Sequence, residues 1–254
     1  MINLSHSTCD TRDPLRRDLR AGVLEMHRFL AAQWFYPLLL CTVLAGGFFA
    51  VRVAYRGELG YGLLIKNLFL AWIPYVLSLA AVALHRSPTR TPRFRFADLA
   101  TWSAWLAMFP NAPYIFTDLI HWRHRFEMPW WFDLGLILMF SFGGFFCALA
   151  SLRIMHGLAR DRAGNVGGWM FVLAVTLLSG FGIYLGRFLR WNSWDLLTHP
   201  HVILGQTVRG LLDPLDHARP IGVTLMFGTM LLACYVMFTA MTATPAAAPA
   251  RQGR

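Results

Sequence analysis

Long apolar stretches with almost no charge dominate this chain and restrict it to a narrow range of folds. A helix needs about 20 predominantly apolar residues to cross the hydrocarbon of a bilayer, where it satisfies its own backbone hydrogen bonds. Six stretches come close to that length: Trp34–Ala54, Gly62–Leu84, Ala97–Ile115, Trp130–Leu152, Gly168–Leu189 and Ile221–Met241. The pattern predicts an all-α fold, a polytopic transmembrane helix bundle with six spans.

Composition supports a membrane protein over a soluble one. Of the 254 residues, 56% are hydrophobic and only 14% are charged, against roughly a quarter charged in soluble domains. The formal charge is +10, but the basic residues are scattered between apolar runs and do not form the cluster that a nucleic-acid-binding face needs. We therefore expect the lipid bilayer as partner and no nucleic acid.

The arginines indicate the orientation of the spans, because cytoplasmic segments of membrane proteins are enriched in Lys and Arg. With the N-terminus inside, 14 arginines fall in cytoplasmic segments and 8 fall on the opposite side. Lys66 is the only lysine and lies on the outer side. The count predicts a chain with both termini in the cytoplasm.

Three segments follow from this layout: an arm over residues 1–33, a membrane domain over 34–243 and a disordered Ala/Pro tail over 244–254. In the arm, an apolar stripe recurs at three- and four-residue steps opposite a set of arginines. The stripe is Leu15, Leu19, Val23, Met26 and Leu30, and the arginines are Arg16, Arg17, Arg20 and Arg28. This amphipathic helix is predicted either to lie on the anionic cytoplasmic leaflet or to pack against the bundle.

Prolines interrupt two of the spans. Pro74 lies in the second, and Pro110 and Pro113 lie in the third. Membrane helices tolerate proline where neighbouring groups satisfy the freed carbonyls. A break in the third span is therefore predicted at Phe109–Tyr114.

Unusual polar residues gather on the outer side, at the ends of the second to fifth spans. Ionisable groups at membrane depth are costly enough that each is a candidate functional residue. The candidates for binding are Lys66, Asn67, Asn111, Arg187, Arg190, Asn192 and Asp195, and the candidates for catalysis are Asp118, His121 and Asp133.

Four strings in this region resemble a known family. They are NLFLAWIPY (67–75), FPNAPYIFTDLIHW (109–122), WWFD (130–133) and GIYLGRFLRWNSWD (182–195). They resemble bacterial membrane proteins of the domain-of-unknown-function 1361 family, from about residue 60 to the end of the sixth span. The resemblance implies an uncharacterised multi-pass protein of the bacterial cytoplasmic (inner) membrane, and it implies no activity or substrate.

The charges of the outer cluster balance, and several functions are compatible with that. Lys66, Arg187 and Arg190 supply three positives, and Asp118, Asp133 and Asp195 supply three negatives. The cluster is interpreted either as an ion-pair clasp or as a site for an anionic lipid headgroup or small anion, in which two arginines one turn apart hold the ligand.

Enzyme and small-solute transporter hypotheses stay open beside these two. An enzyme would use Asp118 or Asp133 as general base with His121. The steps between Asp118, His121 and His124 are not an established ligand pattern, so neither a metal nor a cofactor is predicted. A transporter would need polar residues that continue inward, and the later spans offer few.

Overall fold

The computed structural model of the chain describes residues 12–57, 59–87, 91–121, 129–189 and 218–242, with side chains from residue 21 onward except at 121, 218 and 219. The elements within these ranges are all helical, which confirms the predicted class. They are α1 (Arg12–Ala32), α2 (Phe35–Arg56), α3 (Gly62–Arg86), α4 (Pro92–Met108), α5 (Asn111–Tyr114), a 3₁₀ helix (Ile115–His121), α6 (Trp130–Phe188) and α7 (Ala218–Thr242). The tail predicted over 244–254 lies outside the described residues.

Four of these helices are long and apolar enough to cross a membrane: α2, α3, α6 and, within α7, Pro220–Thr242. Helix α6 is the centre of the bundle, since 67% of its apolar window is buried in the protein, against 22% for α2 and 17% for α7. The outer faces of α2 and α7 carry exposed residues such as Val43, Val51 and Met237. Faces of this kind suit contact with lipid.

Helix α6 is a hairpin of two arms that meet at Gly164. This glycine has φ 73° and ψ 179°, a left-handed conformation that other residues rarely adopt. In a straight helix, residues 13 positions apart are separated by about 20 Å, yet the rings of His156 and Trp169 have centroids 4.8 Å apart. The arms therefore fold back on each other, as the predicted fourth and fifth spans require.

The break predicted in the third span is confirmed: α4 ends at Met108, and a turn at Phe109–Pro110 precedes the short helix α5. Pro113 has no N–H to donate to the carbonyl of Phe109, which accepts from the N–H of Ala112 instead. The carbonyl of Met108 accepts a hydrogen bond from Nδ2 of Asn111 at 3.0 Å. Asn111 thus satisfies a carbonyl that the broken helix leaves open.

A buried hydroxyl ties three helices together in the core. Ser151 of α6 donates to the carbonyl of Pro74 in α3 at 3.0 Å and accepts from the indole N–H of Trp105 in α4 at 2.7 Å. Ser151 and Trp105 are both fully buried. These bonds fix the position of α4 and α5 beside α6, and with it the position of the following 3₁₀ helix.

Helix α7 packs on the second arm of α6 through glycines. A Cβ added to Gly180 would collide with the carbonyl oxygen of Thr224 and lie 2.9 Å from the backbone nitrogen of Gly228. A Cβ on Gly228 would lie 3.1 Å from the carbonyl oxygen of Thr176. Small residues four positions apart on both helices allow this close backbone approach, as is common between membrane helices.

Candidate functional site

Five helix ends meet at one end of the bundle and carry several of the predicted polar residues. The chain reverses between α2 and α3 and again along α6, which brings the end of α2, the start of α3, the 3₁₀ helix and both ends of α6 to the same side. Asn67, Asp118, Asp133 and Arg187 all lie there, and three of the four are buried. We refer to this region as the polar end.

Asp118 is the centre of the first group at the polar end. Its side chain is fully buried, and its two carboxylate oxygens accept hydrogen bonds from two different helices. Nδ2 of Asn67 in α3 donates to Oδ2 at 2.5 Å, and Nη2 of Arg187 in α6 donates to Oδ1 at 3.0 Å. The carboxylate therefore joins the 3₁₀ helix to α3 and to the end of α6.

Arg187 makes further contacts within the same group. Its Nε and Nη2 donate to the hydroxyl oxygen of Thr117 at 3.0 and 2.5 Å, and its Cζ lies 4.9 Å from the ring centroid of Tyr114. The Thr117 hydroxyl donates its own proton to the carbonyl of Tyr114 at 2.7 Å, which leaves its lone pairs for the guanidinium. The arginine is held by an anion, a hydroxyl and an aromatic face together.

A second ion pair at the polar end joins α2 to the first arm of α6. Nε of Arg52 lies 2.8 Å from Oδ1 of Asp133, and both side chains are 4% exposed. The Arg52 guanidinium stacks on Tyr61, with Cζ 4.4 Å from the ring centroid. Gly60 also lies close to this guanidinium, because a Cβ added to Gly60 would lie only 3.3 Å from Nη1 of Arg52. Asp133 is thus paired with Arg52, an arginine that does not belong to the set of charges that sequence analysis grouped together.

Arg52 is the site residue that sequence reasoning missed. In the sequence analysis it appears only as one of the eight arginines on the outer side, although it lies within the predicted first span, where a charge is expensive. That position was the available signal, because an arginine at membrane depth needs a partner. Asp133, at the start of the fourth predicted span, is the partner that the fold supplies.

The other candidates are distributed differently. Lys66 is exposed, although its neighbour Asn67 is buried, and Asn111 contacts the Met108 carbonyl as described above. His121 ends the 3₁₀ helix, but its side chain is not among those described. Arg190, Asn192 and Asp195 lie outside the described residues. Among the side chains that are described, no three of His, Cys, Asp and Glu form a group able to hold a metal.

Comparison with known proteins identifies the family. The profile of a family described as "Protein of unknown function (DUF1361)" matches residues 66–234, two thirds of the chain. The chain belongs to this family. No curated protein and no solved structure matches it.

The DUF1361 match contains most of the polar end. Asn67, Asp118, Asp133 and Arg187 lie within residues 66–234, and Arg52 lies before them. The group around Asp118 is therefore built wholly from the DUF1361 region. The second ion pair attaches α2, which precedes that region, to α6.

Proposed function

We propose that this DUF1361-family protein is a six-span protein of the bacterial cytoplasmic membrane whose polar end is an ion-pair clasp on the periplasmic side. Helices α2, α3 and α7 and the two arms of α6 supply five crossings. The sixth is discontinuous and consists of α4, the Phe109–Pro110 turn and α5. Both termini are cytoplasmic in this proposal, because 14 of the 22 arginines then face the cytoplasm.

The observation that carries the clasp is the complete burial of Asp118 between Asn67 and Arg187. A carboxylate removed from water is stable in its charged form only if it is paired and hydrogen-bonded. Both of its oxygens have donors, so the group holds the ends of α3, the 3₁₀ helix and α6 in one relative position. Such a pair gives little net stability but resists any separation of the helices.

A double-mutant cycle tests the clasp. Arg187→Ala should lower the free energy of unfolding by about 3–5 kcal/mol, because it removes the guanidinium that pairs with the buried Asp118 carboxylate. Asp118→Ala should recover much of that loss in the double variant, so the two changes should not be additive. Titration of the purified protein in mixed micelles with a denaturing detergent measures these energies.

The second ion pair provides the matched control for this cycle. Asp133 is paired with Arg52, so Arg187→Ala and Asp133→Ala should add. Arg52→Ala and Asp133→Ala should be coupled in the same way as the first pair. Additive changes for Arg187 with Asp118 would contradict the clasp.

Binding of an anionic lipid headgroup or small anion at Arg187 is the second candidate function. It is favoured by one observation: the Arg187 side chain is 16% exposed, whereas that of Asp118 is 1% exposed. The guanidinium is the side of the pair that an outside anion reaches first. Within the described residues, nothing favours the enzyme or transporter hypotheses over these two.

Thermal unfolding separates the two candidates. If Arg187 binds an anion, then phosphate, or phosphatidylglycerol added to the micelles, should raise the melting temperature of the protein, as any ligand specific to the folded state does. Exposed Lys66 provides the control: Lys66→Gln should preserve the shift and Arg187→Gln should remove it. If chloride and phosphate change the melting temperature equally and the lipid has no effect, anion binding is contradicted and only the clasp remains as a candidate function.

A further inference from the structure

The first helix, α1, is amphipathic, and the side chains described before residue 29 are not covered by the rest of the protein. Residues 21–28 are all exposed, and Phe29 and Leu30 are partly buried. Val23 and Met26 of the apolar stripe are 62% and 59% exposed. Packing against the bundle, one of the two alternatives left by the sequence, therefore does not account for Val23 and Met26.

The end of α1 is fastened to the helices that follow it. The Tyr36 hydroxyl lies 2.5 Å from Nδ1 of His27, and the two rings stack with centroids 5.0 Å apart. The Arg86 guanidinium, at the end of α3, lies 5.1 Å from the ring centroid of Phe29. These contacts place the last turns of α1 at the end of the bundle opposite the polar end.

The backbone between α1 and α2 makes a defined turn. Trp34 has φ 67°, and within the described residues it is the only non-glycine residue with a positive φ. Bulky residues occupy this region only where their surroundings hold them there. The Trp34 ring contacts that of Phe238 with centroids 5.6 Å apart, so α7 supplies part of that support. Because of this turn, α1 does not continue the axis of α2.

We propose that α1 lies in the plane of the membrane on the anionic cytoplasmic leaflet, with Val23 and Met26 in the lipid and its arginines at the headgroups. The orientation rests on the proposed function, but the contact with lipid does not. The sequence repeats apolar residues at the same spacing before Val23. At 100° per residue, Arg17 and Arg28 fall opposite this stripe, and Arg16 and Arg20 fall along one edge of it. Basic side chains beside an apolar face complement an anionic bilayer.

Fluorescence quenching in nanodiscs tests this contact with the full chain. Cys9, Cys41, Cys147 and Cys234 are first replaced by Ser or Ala, and an environment-sensitive fluorophore is attached after Val23→Cys or, as control, Arg28→Cys. In discs of phosphatidylglycerol and phosphatidylcholine, brominated lipid should quench the label at 23 and iodide in the water should not. The label at 28 should show the opposite behaviour.

The lipid charge forms the second arm of the test. Bromolipid quenching at 23 should fall in discs of phosphatidylcholine alone, and it should fall equally in anionic discs when Arg16, Arg17, Arg20 and Arg28 are changed to Gln. Equal quenching at 23 and 28, or equal quenching in the two kinds of disc, overturns the proposal. A label at 23 that neither quencher reaches also overturns it, because protein then covers the face.

Nanodiscs expose both leaflets, so this result does not depend on which side of the membrane α1 occupies. A failure of the proposed orientation appears only in labelling of intact cells.

Discussion

At the scale of single residues, buried polar groups connect different helices. Asp118, Asp133 and Ser151 each have a hydrogen-bond partner on another element, at distances of 2.5–3.0 Å. An unsatisfied polar group costs more in a membrane interior than at a surface, because water does not replace the lost partner. Such residues therefore determine which helices are neighbours as well as how stable the bundle is.

The Ser151→Ala variant tests how much an uncharged buried polar group contributes to the stability of the bundle. The change leaves the Trp105 indole N–H without its acceptor in a fully buried position. We expect the free energy of unfolding to fall by about 1–3 kcal/mol. Thr229→Ala is the control, because the exposed Thr229 hydroxyl donates only to carbonyls of its own helix, and it should change stability by less than about 0.5 kcal/mol. Equal effects in micelle unfolding would contradict this role for Ser151.

Of the residues at the polar end, sequence reasoning identified Asn67, Asp118, Asp133 and Arg187 but could not assign their partners. The cost of charge at membrane depth is a property of each residue and is visible in the sequence. Pairing depends on the rotation of each helix about its axis. Lys66 and Asn67 are adjacent, yet about 100° separates them on a helix, and only Asn67 turns inward.

At the scale of helices, close packing in this protein depends on small residues where two backbones meet. The contact of Gly180 and Gly228 leaves no room for a methyl group, because the colliding atoms belong to the backbone of the neighbouring helix. A side chain can rotate away from a clash, whereas a helix backbone must shift as a unit. This contact therefore sets the distance between α7 and the second arm of α6.

Gly180→Ala should accordingly destabilise the protein. Overpacking of a tight contact costs about 1–3 kcal/mol, which exceeds the gain of roughly 0.5–1 kcal/mol that Ala has over Gly in a helix. Gly222→Ala is the matched control, because an added Cβ there meets nothing within 4 Å. Unfolding in mixed micelles should show a loss for the first change and no loss for the second. If Gly180→Ala leaves the free energy of unfolding unchanged, α7 is free to move away from the second arm of α6.

At the scale of the whole molecule, the two ends of the bundle differ in character. The polar end holds buried ion pairs, whereas the pairs at the opposite end are more accessible to solvent. There Arg162 pairs with Asp98 at 2.8 Å, and Nε2 of His85 lies 3.9 Å from Oδ2 of Asp161. The second of these pairs joins the end of α3 to the tip of the α6 hairpin. Ser87 and Gly164 should therefore lie on the same side of the membrane.

Labelling in intact cells tests the proposed orientation. In a background without native cysteines, Ser87→Cys and Asn165→Cys, the latter at the exposed residue next to Gly164, should resist an impermeant thiol reagent, because the arginine distribution predicts that both lie in the cytoplasm. Glu127→Cys and Thr207→Cys should react with it. Permeabilised cells provide the control, since all four positions should then react. The reverse labelling pattern would show that the polar end faces the cytoplasm.

The apolar stretches and prolines alone were enough to predict a helical membrane protein and a break at Phe109–Tyr114, since the length of a span and the missing N–H of proline are local properties. The partners of the charges were not predictable in this way. Asp133 pairs with Arg52, 81 positions away along the chain. Hydropathy carries little information about helix rotation in lipid, where the inner and outer faces are both apolar, so these pairs became visible only once the helices were packed.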